Sequence, residues 1–169
     1  MNIFSSIKAF SQSRLSWALL LLFVVFFTGC AVVFQHVMNL APCVMCVYER
    51  IAMLGIGAFA IVGAINPNST ILRWIGLVGW AGCSYKGLML SLEHVHYQTS
   101  IFATCEALTL PSWAPLNVWF PQFFEAPGDC SEIAWEFLTL SMPQWLVVIF
   151  AGNLLAIGVI ALSQFAKGK

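Results

Sequence analysis

Leu15–Phe34 reads LSWALLLLFVVFFTGCAVVF, twenty residues without one charged side chain. At ~1.5 Å rise per residue, about 20 apolar residues carry a helix across the hydrocarbon core of a bilayer. A backbone in lipid must satisfy its own hydrogen bonds, so the stretch predicts a membrane-spanning helix. Three more stretches of this kind follow. Cys46–Ile65 holds Glu49 and Arg50 only near its first turn, and Ile75–Leu92 is interrupted by Lys86. Trp145–Leu162 has Asn153 as its one strongly polar member.

Composition agrees that lipid is the solvent. Of 169 residues, 60% are hydrophobic and 8% charged, with a mean hydropathy of +0.88. A soluble domain carries roughly 25% charged residues. Seven Trp and 14 Phe suit the membrane interfaces, where amphipathic rings settle. The fold expected is all-α, an antiparallel four-helix membrane bundle forming one domain over residues 1–169. Its spans are expected at about 15–34, 46–65, 75–92 and 145–162. Asn66-Pro67-Asn68-Ser69-Thr70 is a turn signal that makes the second and third spans antiparallel neighbours. No internal repeat interrupts this plan. No basic patch exists to neutralise phosphates, which excludes nucleic acid as a partner.

The net charge of zero hides an asymmetry. The cations are Lys8, Arg14, Arg50, Arg73, Lys86, Lys167 and Lys169. Six of the seven acids (Glu93, Glu106, Glu125, Asp129, Glu132, Glu136) lie within 93–136, a stretch without Lys or Arg. The positive-inside rule then places both termini and the 66–70 turn in the cytoplasm. Loops 35–43 and 93–144 then share the opposite, outer side, which is the periplasm for a chain in a bacterial inner membrane. Lys8, Arg14, the apolar run and Phe27-Thr28-Gly29-Cys30 also resemble a signal peptide with a lipoprotein-like cleavage site. Continuation of the run through Ala31–Phe34 to spanning length, with Phe27 where an aliphatic residue is usual, favours a retained helix.

Topology sorts the six cysteines. Cys30 and Cys83 fall inside spans and are expected to be small packing residues. Cys43, Cys46, Cys105 and Cys130 lie in the outward loops, where disulfides persist, and read as two pairs. Cys43-Val44-Met45-Cys46 follows Pro42, a residue suited to a first helical turn. Thiolates at a helix N-terminus are stabilised by unpaired N–H groups and the macrodipole. Arg50, four residues after Cys46, shares its helix face, with Glu49 as the expected partner of the guanidinium. A cation near the membrane interior marks a functional site by default; simple snorkelling to the interface is the bland alternative. Half a zinc site and a purely structural disulfide are the other readings of Cys-x-x-Cys, though so tight a disulfide staples only a short loop and stabilises little. No second such pair or close histidine set lies in the same loop, so no metal is expected. For Cys105 and Cys130, a structural disulfide closing the acidic loop and a mobile relay pair both fit the position. Between them, the apolar Leu116–Phe124 (LNVWFPQFF) is too short to span and is expected to lie along the membrane surface.

The motifs together carry a resemblance. Gln35-His36-Val37, Pro42-Cys43-Val44-Met45-Cys46-Val47-Tyr48-Glu49-Arg50, Phe102-Ala103-Thr104-Cys105, Gly128-Asp129-Cys130 and Met142-Pro143-Gln144-Trp145 resemble the disulfide bond formation protein B (DsbB) family, in order along nearly the whole chain. The resemblance implies a thiol:quinone oxidoreductase. Cys105–Cys130 would accept electrons from a periplasmic DsbA-like thioredoxin-fold protein, and Cys43–Cys46 would pass them to ubiquinone or menaquinone. It further implies that the partner's thiolate attacks Cys105, that released Cys130 attacks Cys43, and that Cys46 is left as the thiolate facing the quinone. Arg50 would hold the quinone ring, with Leu90, His94 and Met142 as further pocket members; Lys86 is given no role. His36 and His96 are expected to be ordinary interfacial histidines.

Two other classes compete. A vitamin K epoxide reductase-like quinone reductase also joins a four-helix bundle to Cys-x-x-Cys, but usually in its last span. A non-catalytic membrane protein with two structural disulfides is the other. Quinone-dependent oxidation of a dithiol protein separates enzyme from scaffold. The topology has its own test: reporter fusions at Asn68 and near Ala126 should report cytoplasm and periplasm respectively. A cytoplasmic signal at Ala126 would overturn both the orientation and the redox argument built on it.

Overall fold

The computed structural model describes residues 3–100 and 105–165. Phe102-Ala103-Thr104 of the loop motif, and Lys167 and Lys169 of the charge argument, lie outside the described residues. Seven helices and one hairpin follow in chain order: α1 (Ile3–Ser11), α2 (Arg14–His36), α3 (Val44–Ile65), α4 (Thr70–Thr99), α5 (Leu116–Trp119), α6 (Pro121–Phe124), β1 (Glu136–Phe137), β2 (Leu140–Ser141) and α7 (Met142–Gln164). The four long helices α2, α3, α4 and α7 make an all-α membrane bundle. Within it α2 packs on α3, α3 on α4 and α4 on α7. By length and composition α2, α3 and α7 can each cross a membrane. The 30-residue α4 completes the bundle and, at ~1.5 Å per residue, outreaches a hydrocarbon core of about 30 Å.

Each helix overruns the apolar run that announced it, because capping, not hydropathy, ends a helix. Ser13 caps α2 by accepting the Ser16 N–H at 3.3 Å. Ser141 and Gln144 form a capping box at the start of α7, with Pro143 in its first turn. The largest overrun is α4, whose end Glu93–Thr99 is polar. It stays helical because the protein supplies partners. His94 meets Glu49, Gln98 donates to the Glu132 carbonyl, and the Ser141 hydroxyl donates to Gln98.

Helix α1 was not foreseen, although Ile3, Phe4, Ile7 and Phe10 recur at helical spacing. It packs on α7 and ties the turn end of the bundle together. Lys8 donates to the Gln164 carbonyl at 3.0 Å, and the Gln164 amide donates to Ser11 Oγ at 3.0 Å. Buried Arg73 donates to Gln164 Oε1 at 3.0 Å and to the Pro67 carbonyl at 2.9 Å. Cations near this end are thus held by polar partners rather than left in lipid.

Trp17 is the pivot of the core beneath this clasp. Its indole N–H donates to the Ser11 carbonyl at 3.0 Å, and its ring lies against Gly63 of α3 and Gly76 of α4. A Cβ at either glycine would strike the ring, so three helices approach at this point because two residues lack side chains. Gly63→Val or Gly76→Val should therefore cost about 1–3 kcal/mol by overpacking. Helix loss on heating in detergent should come earlier for both variants. Gly29→Ala, whose Cβ would meet nothing within 4 Å, is the matched control and should melt like the parent.

Candidate functional site

The site begins at the backbone end of α3. Cys43 is its N-cap, in extended conformation (φ −87°, ψ 172°), and its sulfur accepts the Cys46 N–H at 3.2 Å. The first turn then swings Cys46 back over Cys43, leaving the two sulfurs 2.6 Å apart. The hydrogen bond from the Cys46 thiol holds Cys43 below its ordinary pKa, against the opposing effect of burial.

One turn deeper, Glu49 and Arg50 diverge. Glu49 was expected to pair with Arg50, and the structure corrects this. Consecutive helical residues point about 100° apart, so their side chains cannot face each other. Glu49 Oε1 instead meets His94 Nδ1 of α4 at 3.1 Å. The other ring nitrogen of His94 lies 3.4 Å from Cys43 Sγ. All three groups are buried. Arg50 turns the other way and donates to Gln35 Oε1 of α2 at 2.9 Å and to the Phe123 carbonyl of α6. Gln35 in turn donates to the Gln122 carbonyl at 2.9 Å, so the apolar loop segment is anchored by polar contacts with its backbone.

The long loop is pinned beside the cysteines at two places. Gly128 N–H donates to the Pro42 carbonyl at 3.0 Å and pairs with Cys43 in a single parallel bridge. A Cβ at Gly128 would strike the Ala41 carbonyl, so this approach requires glycine. Tyr48 forms the second pin, accepting the Thr109 N–H at 2.9 Å and donating to its carbonyl at 3.0 Å. Cys130, joined by a disulfide to Cys105, is fully buried and shares one cluster with Cys43 and Met45. The four loop cysteines therefore meet at one end of the bundle.

Between α2, α3, α7 and the hairpin lies a cavity of about 610 Å³. Its walls are aromatic and aliphatic, including Phe34, Trp135, Met142 and Trp145, with Cys46, Glu49 and Arg50 as the chemical edge. Glu49 Oε2 and Arg50 Nε are buried and have no hydrogen-bond partner among the described residues. The hairpin on its rim turns through Leu138 and Thr139 at φ 52° and 65°, left-handed conformations that favour glycine or asparagine. A second cavity of about 450 Å³ around Trp17 and Trp80 lies away from the cysteines.

Of the residues expected around a quinone, Arg50 and Met142 line the larger cavity. Leu90 and His94 do not. Leu90 packs on the Cys43–Cys130 cluster, and His94 stands beyond Cys43. Lys86 is exposed, and Cys83 packs against Gly55. Cys30, expected only to fill space in the bundle, lies on the cavity wall. Sequence reasoning missed Gln35 as a partner of Arg50; an amide immediately after an apolar span was the available signal.

A sequence model described as Disulfide bond formation protein DsbB matches residues 13–160. Disulfide bond formation protein B of Vibrio cholerae serotype O1 is 65% identical over 170 residues, covering 99% of this chain and 98% of that protein. The proteins of the same name from Vibrio vulnificus strain CMCP6 and Aeromonas hydrophila are 61% and 46% identical. The first covers all of both chains and the second 96% of each. A membrane bundle that gathers two cysteine pairs at one end, matched along its length by these relatives, belongs to the disulfide bond formation protein B (DsbB) family.

Proposed function

We propose that this chain is a thiol:quinone oxidoreductase of the bacterial inner membrane. It reoxidises a periplasmic DsbA-like dithiol protein and delivers the electrons to ubiquinone or menaquinone, supporting disulfide formation in other proteins. The observation that carries this reading is the cavity, an apolar chamber whose polar edge is Cys46 together with Arg50. Its volume and aromatic walls suit a flat ring, and the orphaned Arg50 Nε is a charged donor awaiting an acceptor such as a quinone oxygen. A bound quinone supplies the two-electron acceptor.

The protein's own share is sulfur exchange and charge placement. The partner's thiolate attacks Cys105, a bond forms between the two chains, and the Cys105–Cys130 bond breaks with Cys130 leaving as thiolate. Cys130 is already packed against Cys43, so its attack on the sulfur of an oxidised Cys43–Cys46 pair needs little travel. That step leaves Cys46 as the thiolate on the cavity wall, one helical turn from Arg50. The pins at Gly128 and Tyr48 hold the loop where this exchange can occur, and the sheltered wall excludes water from the second transfer.

Arg50 gives the direct test. Arg50→Met should weaken quinone use roughly ten- to a hundredfold, the worth of one charge-assisted interaction of about 1.5–3 kcal/mol. Exchange at Cys105 should stay largely intact. Arg50→Lys keeps the charge, loses the planar fork and should fall between. Steady-state oxidation of the dithiol partner against quinone concentration, beside single-turnover exchange without quinone, separates the two steps. An unchanged quinone dependence in Arg50→Met would overturn this assignment of the cavity.

A further inference from the structure

The sequence offered Cys-x-x-Cys without a second such pair or a close histidine set in its loop. The fold supplies a histidine. We propose that Cys43, Cys46 and His94 form, when both cysteines are thiols, a three-ligand site for a thiophilic divalent cation of the zinc class. The two sulfurs and a ring nitrogen of His94 lie within 4.8 Å of one another. A tetrahedral zinc centre with bonds of about 2.3 Å to sulfur and 2.0–2.1 Å to nitrogen sets ligand atoms roughly 3.5–3.8 Å apart. Cys43 Sγ and His94 Nε2, at 3.4 Å, stand just inside that spacing. The sulfurs, at 2.6 Å, need to part by about 1 Å, the reach of one side-chain rotation at Cys46.

The surroundings are those of a ligand set. His94 is 3% exposed and presents Nε2 to the sulfur because Nδ1 is held by Glu49. That carboxylate–histidine arrangement fixes the tautomer and raises the basicity of the coordinating nitrogen. Two thiolates neutralise a divalent ion, and the two sulfurs with one imidazole select zinc-class ions over magnesium or calcium. Three protein ligands leave a fourth position for water on the side of Cys46, the ligand that lines the cavity. Binding displaces two thiol protons and moves no electrons, so the metal keeps the pair reduced. It thereby blocks the re-formation of the Cys43–Cys46 bond. The site is a brake set by metal availability, and it goes beyond the quinone reading without resting on it.

The test uses the full chain in detergent with Cys30, Cys83, Cys105 and Cys130 replaced by serine, reduced with a phosphine and free of quinone. Titration with Co²⁺ should give one equivalent of binding, with thiolate-to-cobalt charge-transfer bands and tetrahedral ligand-field bands that Zn²⁺ removes. Glu49→Gln should weaken binding about ten- to a hundredfold. His94→Ala should weaken it further and shift the visible bands. Absence of a thiolate–cobalt band, or identical spectra and affinity in His94→Ala, would overturn the site. Should His94→Ala fail to fold, alkylation of the reduced, otherwise unaltered chain decides. Zn²⁺ should slow modification of Cys43 and Cys46 but not of Cys83, and equal rates with and without Zn²⁺ would overturn the proposal.

Discussion

Arg50 carries a charge that no physiological pH removes, and only 7% of its surface is open. Such a group must be met by acceptors or expelled. Here the acceptors come from two different parts of the chain, Gln35 near the end of α2 and the Phe123 carbonyl of α6, while Nε has no partner among the described residues. One guanidinium therefore ties α2 and the apolar loop segment to α3.

Two buried polar systems thus diverge from one helical turn. Glu49 and His94 stand on the α4 side, facing Cys43, and Arg50 and Gln35 stand on the α2 side, beside the cavity. Each sulfur of the pair has a different neighbour as a result. Cys43 is enclosed, next to an imidazole and the loop disulfide; Cys46 borders an apolar chamber. The asymmetry is the one the proposed function asks for, exchange with sulfur on one side and with a different acceptor on the other.

Much of this was legible in the chain. Leu15–Phe34 and its three counterparts announced the bundle because spanning lipid demands about 20 apolar residues in a row. Cys43, Cys46 and Arg50 were legible as a unit because their spacing lies within one helix, where geometry follows from sequence. What escaped were contacts between helices. Glu49 and His94 are 45 residues apart, and only the packing of α3 on α4 decides that they touch. The same packing turns Leu90 toward the cysteine cluster rather than the cavity. The polar tail of α4 was invisible to hydropathy because its partners, Glu49, Glu132 and Ser141, come from elsewhere in the chain. Helix α1 was hidden by its brevity, since nine residues hold together by packing on α7 and α2.

On the proposed reading, Cys43 is at once a redox sulfur and the residue that starts α3. A thiolate accepts the Cys46 N–H better than a sulfur engaged in a disulfide, and it also faces the positive end of the helix dipole. Helix formation and reduction are therefore two legs of one thermodynamic cycle. Whatever the cap contributes to the helix in the dithiol state is withdrawn from the disulfide state and raises the reduction potential of the couple. A capping interaction of about 1 kcal/mol corresponds to roughly 20 mV for a two-electron exchange.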